Sequence, residues 1–397
     1  MDKSNLLQGL KVLDLTRVLA GPYTAMMLAD MGAEVLKIEQ PGGGDDSRRS
    51  PPIIEGGESA YFINLNRNKK GITLNLKSDK GKEIFRKLVS QYDVVIENYR
   101  PGVMDKLGLG YEELKAINPG IIYAAISGFG HYGPYSQRAG YDIIAQAMSG
   151  LMSTTGWPDG SPTRTGTAMG DVVAGLSCCV GILAAYVNRL KTGIGEKVDI
   201  ALVDSLVSAL EIINMIYLCT DRVPQRIGNR YESIYPYDSF KALDGDVIIA
   251  CGNDKLFGLL KGYLNKPEFD DPDFKTNVDR VNNHAKLKLI VEEWTALHPI
   301  DEIVDIMLGL GIPAAPINTI DRVVQDPHIA DAREMFVDCE HPVAGNVKIT
   351  GSQLKFSDHK FSVYRPAPLL SEHTDEILES IGYTDADCLR FREEGVV

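Results

Sequence analysis

Leu10 to Leu15 is a short apolar-rich run, Pro22 to Met31 places its apolar residues at helical spacing, and Glu34 to Ile38 returns to a short run of Val, Leu and Ile. Short apolar runs bounded by turn residues read as strands, and longer periodic runs read as helices. The opening segment therefore predicts strand, helix, strand. After the polar, Gly-rich stretch Gly42 to Gly57 the alternation resumes: strand Ile72 to Leu76, helix Lys80 to Ser90, strand Val94 to Glu97, helix Tyr111 to Ile117 and strand Ile121 to Ser127. Alternation of this kind predicts an α/β fold with a mostly parallel, doubly wound sheet.

Past Gly160 the run Gly-Thr-Ala-Met-Gly-Asp precedes a long apolar helix predicted from Val172, and a second apolar helix is predicted from Val198 to Tyr217. The stretch from Val172 to Val187 is broken by Gly175, Ser177 and Gly181 and ends at Asn188. It falls short of the ~20 residues that span a bilayer, so a buried helix and no membrane are expected. Residues 222–330 are a less repetitive α+β stretch ending in GLGIPAAPINTI, where a smaller domain is placed. Beyond it, Asn346 to Ile349 and Leu354 to Phe356 read as strands and Thr374 to Ser380 as a helix.

A chain of 397 residues suggests two domains. Its composition, 44% hydrophobic and 24% charged, is that of a soluble globular enzyme. A formal charge of -13 repels nucleic acid over most of the surface. The first 150 residues are nearly balanced in charge and the acidic excess lies in the rest, so a small anion is best received in the N-terminal part. The opening MDKSNLLQGLKVLDL has no apolar core before a small-residue cleavage site, and a cytoplasmic location is expected. Six cysteines show neither C-x-x-C nor metal-ligand spacing with His, which points to core thiols rather than zinc or disulfides.

Glu39 ends the second strand where a dinucleotide-binding protein would keep its ribose-binding acid. The first turn, DLTRVLAGPY, nevertheless holds only Gly21, whereas close approach of a pyrophosphate uses G-x-G-x-x-G. A nicotinamide cofactor is therefore not expected.

A set of ordered motifs points elsewhere: VLDLTRVLAGPY (12–23), GAEVLKIE (32–39), NRNKKGITLNLK (66–77), VVIENYRPGVMDKLGL (94–109), ISGFGHYGPY (126–135), GYDIIAQAMSGLM (140–152), MGDVVAG (169–175), G-x-G-E-K-V-D (193–199), GIPAAPINT (311–319) and PLLSEHTDEIL (368–378). Together they make the chain resemble, along almost its whole length, the class III CoA-transferases of the formyl-CoA and carnitine CoA-transferase type, with methylacyl-CoA racemases as close relatives. The resemblance implies a large Rossmann-like CoA-binding domain from both ends of the chain (1–221 and 331–397), a small domain between (222–330), and an interlocked homodimer. It implies acyl-CoA and a free carboxylic acid as substrates, with no tightly bound cofactor.

By the same resemblance Asp171 is the nucleophile. A carboxylate that attacks a thioester forms a mixed anhydride, and CoA thiolate then converts it to an aspartyl-CoA thioester. Gly170 would leave room for the thioester, and the helix predicted to start at Val172 would favour the carboxylate by up to ~1 kcal/mol. Position alone favours a helix N-cap, for which Asp is among the best residues, and it is the motif around it that favours catalysis. For CoA, the resemblance implies Leu19, Ala20, Leu74, Asn75, Leu76, Lys77, Asn98, Tyr99, Arg100, Lys106, Ala139, Gly140, Tyr141 and Asp142. Lys77, Arg100 and Lys106 suit phosphates chemically. Gln40 replaces an arginine of the formyl enzyme, and Arg17 is placed to compensate.

Two departures bear on substrate. The glycine run that closes over the formyl enzyme's site has no counterpart in IGNRYESIYPYDSF (227–240), which argues against formate and oxalate as the pair. Tyr141 stands where the racemases use a histidine base, and an unperturbed tyrosine, with a pKa near ~10, is a poor base at neutral pH. Transfer is favoured over racemisation, while His131 reads as a loop residue.

Overall fold

The structure is a computed structural model that describes residues 6–397. The expected absence of a leader falls partly on residues 1–5, outside the described residues. Six parallel strands, β1 (Lys11–Asp14), β2 (Glu34–Glu39), β3 (Lys69–Thr73), β4 (Val94–Glu97), β5 (Ile122–Ser127) and β6 (Lys197–Ala201), form one sheet in the order β3-β2-β1-β4-β5-β6.

Successive residues of a strand point to opposite faces, and both faces of this sheet are covered. Val12, Val35, Ile96 and Ala124 pack with the helices Ala20–Asp30 and Met169–Thr192. Leu13, Leu36, Val95 and Tyr123 pack with the helix Asp79–Val89 and with Ile377, Leu378, Cys388 and Phe391 from the helices Thr374–Ser380 and Asp385–Glu393.

Two compact units result. The larger takes in the chain through Leu151, Arg164–Thr220 and Pro327–Val397; the smaller takes in Met152–Thr163 and Asp221–Asp326. The short segment Met152–Thr163, read from sequence as part of the large domain, thus belongs to the smaller unit. That unit is built on the antiparallel strands β7 (Tyr237–Ala242), β8 (Gly245–Ala250) and β9 (Ala314–Pro316), with Phe240, Val247 and Ile249 in a core shared with Leu260, Leu287 and Ile303.

Four elements differ from their sequence expectation. β3 begins at Lys69, because two consecutive lysines hide the start of a strand whose first residue is fully buried; Lys69 Nζ meets Asp14 Oδ2 at 2.9 Å. The run from Val198 is not one helix: it opens as edge strand β6 and continues as the helices Leu202–Ala209 and Glu211–Thr220. A short apolar run does not by itself distinguish a strand from a helix. Leu354 to Phe356 forms no strand, since β11 (Gly345–Thr350) already pairs with β10 (Phe336–His341). The long apolar helix runs from Met169 to Thr192, which by length and composition is enough to cross a membrane, with 39% of its most apolar window buried in the protein. It is thus longer and less buried than its interrupted sequence suggests.

Candidate active site

The strand order turns back on itself between β1 and β4, and open α/β sheets bind ligands at the C-terminal strand ends beside such a switch point. A cleft of about 400 Å³ opens there. Its walls are the turn Arg17–Ala20 after β1, Asn98–Pro101 and Val103 after β4, Ile126–Gly128 at the end of β5, the loop Arg138–Asp142, and Asp171.

The first turn is held in an unfavourable shape. Val18 has φ 69°, a left-handed conformation that costs a β-branched residue about 1–3 kcal/mol unless its surroundings enforce it. Here they do. The Val18 N–H donates to Asp45 Oδ1 at 3.1 Å, and the Arg17 N–H donates to Asn98 Oδ1 at 2.9 Å, while Asn98 Nδ2 returns a bond to the Arg17 carbonyl. Lys37 Nζ donates to the Thr16 carbonyl and to Asp45 Oδ2, both at 2.9 Å, with neither charged side chain exposed. Burial opposes ionisation of Asp45, yet Lys37 and the Ser47 hydrogen bonds hold its carboxyl down at about 2.

Asp171 is in the first turn of the helix Met169–Thr192, whose N-cap is Ala168. The helix starts earlier than the sequence suggests, so Asp171 is not its cap, and the capping explanation for this aspartate falls away. Gly170 also serves differently from expectation. Its N–H donates to Asp142 Oδ1 at 2.8 Å, and a Cβ on Gly170 would lie 3.0 Å from that oxygen. The space left by the missing side chain is taken by Asp142 rather than kept for a thioester.

Burial first, and the Asp142 carboxylate second, push the Asp171 carboxyl up to about 7. These effects outweigh the helix dipole, which alone would favour the anion. Burial and then Asp171 itself push the nearby Tyr61 phenol up to about 12. An aspartate that resists ionisation is more basic, and so more nucleophilic, once it does ionise.

Of the residues marked from sequence, the cleft gathers Arg17, Leu19, Ala20, Asn98, Tyr99, Arg100, Ala139, Gly140, Tyr141, Asp142 and Asp171. Gln40, Leu74, Asn75, Leu76, Lys77 and Lys106 lie outside its lining. Leu74 is 2% exposed and Leu76 packs on the same core, so their side chains are committed to the interior. Asn75 is tied to the carbonyls of Gly395 and Val396, while Gln40, Lys77 and Lys106 are exposed. Sequence reasoning missed Asp46, which lines the cleft and pairs with Arg17 at 3.2 Å, and Arg138, which stacks on Tyr135. Asp46 could have been suspected from the charged run DDSRR, and Arg138 from its place beside the GYD motif.

Comparison with known proteins gives one answer. Residues 7–374 match CoA-transferase family III. The human succinyl-CoA:glutarate CoA-transferase is 41% identical over 393 residues, 98% of this chain and 90% of the human protein. The succinyl-CoA:mesaconate CoA-transferase of Haloarcula hispanica is 41% identical (95% and 96% of the two chains), and the acetyl-CoA:oxalate CoA-transferase of Acetobacter aceti is 41% identical (92% of each). A crystal structure of a CAIB/BAIF family protein from Brucella suis superposes with a TM-score of 0.84 at 41% identity, covering 96% of this chain and 100% of that one. The protein whose switch-point cleft holds Asp171 belongs to CoA-transferase family III.

Proposed function

We propose that this CoA-transferase moves CoA between short dicarboxylic acids, with Asp171 as the covalent relay. The observation that carries the reading is Asp171 itself, a half-buried carboxylate in the wall of the cleft, raised to about 7. Asp171 attacks the thioester carbonyl and expels CoA thiolate, leaving a mixed anhydride. The thiolate attacks the aspartyl carbon and releases the donor acid, giving aspartyl-CoA. The acceptor carboxylate attacks that thioester, expels the thiolate and forms a second anhydride; thiolate attack on its acyl carbon yields the new acyl-CoA and frees Asp171. Each step exchanges one activated acyl group for another, so no external energy source is consumed, and holding the thiolate beside its target replaces a bimolecular encounter.

The class of acid is supported by the named relatives, which act on succinate, glutarate, mesaconate and oxalate. Oxalate returns to the candidates despite the missing glycine run, since a relative named for it is 41% identical. Arg17 and Arg100 suit the phosphates of CoA, which is a substrate here, and no tightly bound cofactor is invoked. Tyr141, at the position of the racemases' base, is 76% exposed.

The reading includes a cytoplasmic, interlocked homodimer with no membrane or nucleic-acid partner. Support for the dimer comes from exposed apolar side chains on the large unit, among them Val180, Leu190 and Leu218 at about 70% exposure. Covering side chains this exposed with a second chain would remove apolar surface from water, which favours association. The deciding experiment offers the enzyme a panel of acyl-CoA donors and carboxylates and follows new CoA esters by mass. Succinyl-CoA with glutarate should give glutaryl-CoA, and hydroxylamine should trap a hydroxamate at Asp171. Absence of any acid-dependent ester would overturn the reading.

A further inference from the structure

Gln146 is completely buried on the helix Asp142–Met148, one turn beyond Asp142 and on the same face. Its Oε1 accepts the Thr165 N–H at 2.9 Å, and the Thr165 hydroxyl lies 3.2 Å from the same oxygen. Its Nε2 donates to Asp142 Oδ2 at 2.8 Å and lies 3.4 Å from the Thr167 carbonyl. The amide can face only one way. A backbone N–H can only donate, so the atom opposite Thr165 is the oxygen, and the atom turned to Asp142 is the donor nitrogen.

Asp142 is therefore held at both oxygens, by Gln146 on one and by the Gly170 N–H on the other. The same glutamine clips the bent segment Thr165–Thr167, which leads directly into the helix that carries Asp171. One buried side chain thus ties together the two segments flanking the nucleophile.

We propose that Gln146 is a positioning residue for the transfer reaction, which holds the Asp142 carboxylate fixed beside Asp171 and so sets the surroundings and aim of the nucleophile. The inference rests on the reading of Asp171 as the covalent relay. Both donors fix the place of the Asp142 carboxylate, and its charge adds to burial in raising Asp171. Asp142 and the Tyr61 phenol interact with Asp171, and Arg17, Asp46, Tyr99, Arg100, Arg138 and Tyr141 line the same cleft. Loss of the Gln146 donor lets the Asp142 carboxylate turn away, which lowers the pH at which Asp171 ionises.

The test is the pH profile of kcat/KM for Gln146→Met, which keeps the volume and removes the amide. The acid limb should move to lower pH, and kcat should fall about 10- to 100-fold with little change in KM for acyl-CoA, as expected for misplacement at the reacting centre. Adding Gln146→Met to Asp142→Asn should move the limb no further, because both act through one charge. If Gln146→Met does not fold, Thr165→Val, which removes the neighbouring hydroxyl, should shift the limb in the same direction by less. An unmoved limb in a folded variant, or a shift that adds fully to that of Asp142→Asn, overturns the proposal. Hydroxylamine labelling of the wild-type enzyme separates the two readings: label at Asp171 with an unmoved limb refutes only the role of Gln146, whereas label elsewhere refutes the relay.

Discussion

Asp171 carries a pH signature of two opposite kinds. As nucleophile it must be ionised, so transferase activity should rise with pH through an acid limb near the value of about 7 that burial and Asp142 impose. Its folded pKa lies above its ordinary value of 3.8, so its stabilising contribution is complete below that value and is lost as pH rises through about 7. Asp171→Asn should therefore abolish transfer while raising the melting temperature at pH 8 more than at pH 5. A melting temperature that falls equally at both would contradict the burial argument. The opposite case is Lys69, fully buried against Asp14. Lys69→Met leaves the Asp14 carboxylate unpaired and should cost about 3–5 kcal/mol, measurable by denaturant unfolding and larger than any surface pair would give. Asp171 was legible from sequence by its motif, but its charge state was not, since that depends on how deeply it sits and on a carboxylate 29 positions earlier in the chain. Gln146 stands inside the GYDIIAQAMSGLM motif, but its role was not legible there, for a buried amide acts only through what it touches.

Among the elements, β1, β2, β4 and β5 are visible in the hydrophobic pattern because both faces of a parallel strand are buried and the runs are almost unbroken. The start of β3 hides behind two lysines, Lys69 paired with Asp14 inside the fold and Lys70 with Glu376 at the surface, and β6 hides in a run of helix-like apolarity. The loops that wall the cleft obey a stricter rule. Gly128 and Gly140 cross so closely that a Cβ on Gly140 would lie 2.5 Å from the Gly128 Cα, backbone that cannot swing aside. Gly140→Ala should push the loop Arg138–Asp142 outward and raise KM for acyl-CoA about tenfold or more, with the protein still folded by circular dichroism, since misplacements of about 1 Å carry penalties up to 100-fold. An unchanged KM would show that the crossing does not shape the ligand site.

At the scale of the whole molecule, the doubly wound sheet and a smaller α+β unit follow from the alternation along the sequence, whereas the assignment of Met152–Thr163 to the smaller unit does not. No periodicity marks a short segment that leaves one unit and returns. The C-terminal helices are part of the sheet's own core: Ile377, Leu378, Cys388, Phe391 and Val396 are each at most 5% exposed. Deleting residues 374–397 should uncover part of one face of the sheet and leave the protein insoluble or readily proteolysed. A soluble, protease-resistant truncation would show that this face closes without them.

The sheet takes its covering from residues far apart in the order of synthesis. β1 to β5 are complete before residue 128 has been made, yet the two helices that finish covering their second face come after residue 373. On the ribosome, the first strands must wait with that face only partly covered, by the helix Asp79–Val89, while the entire smaller unit is synthesised. That interval makes the nascent N-terminal half a client for chaperones, and slow translation between residues 221 and 326 would lengthen its exposure.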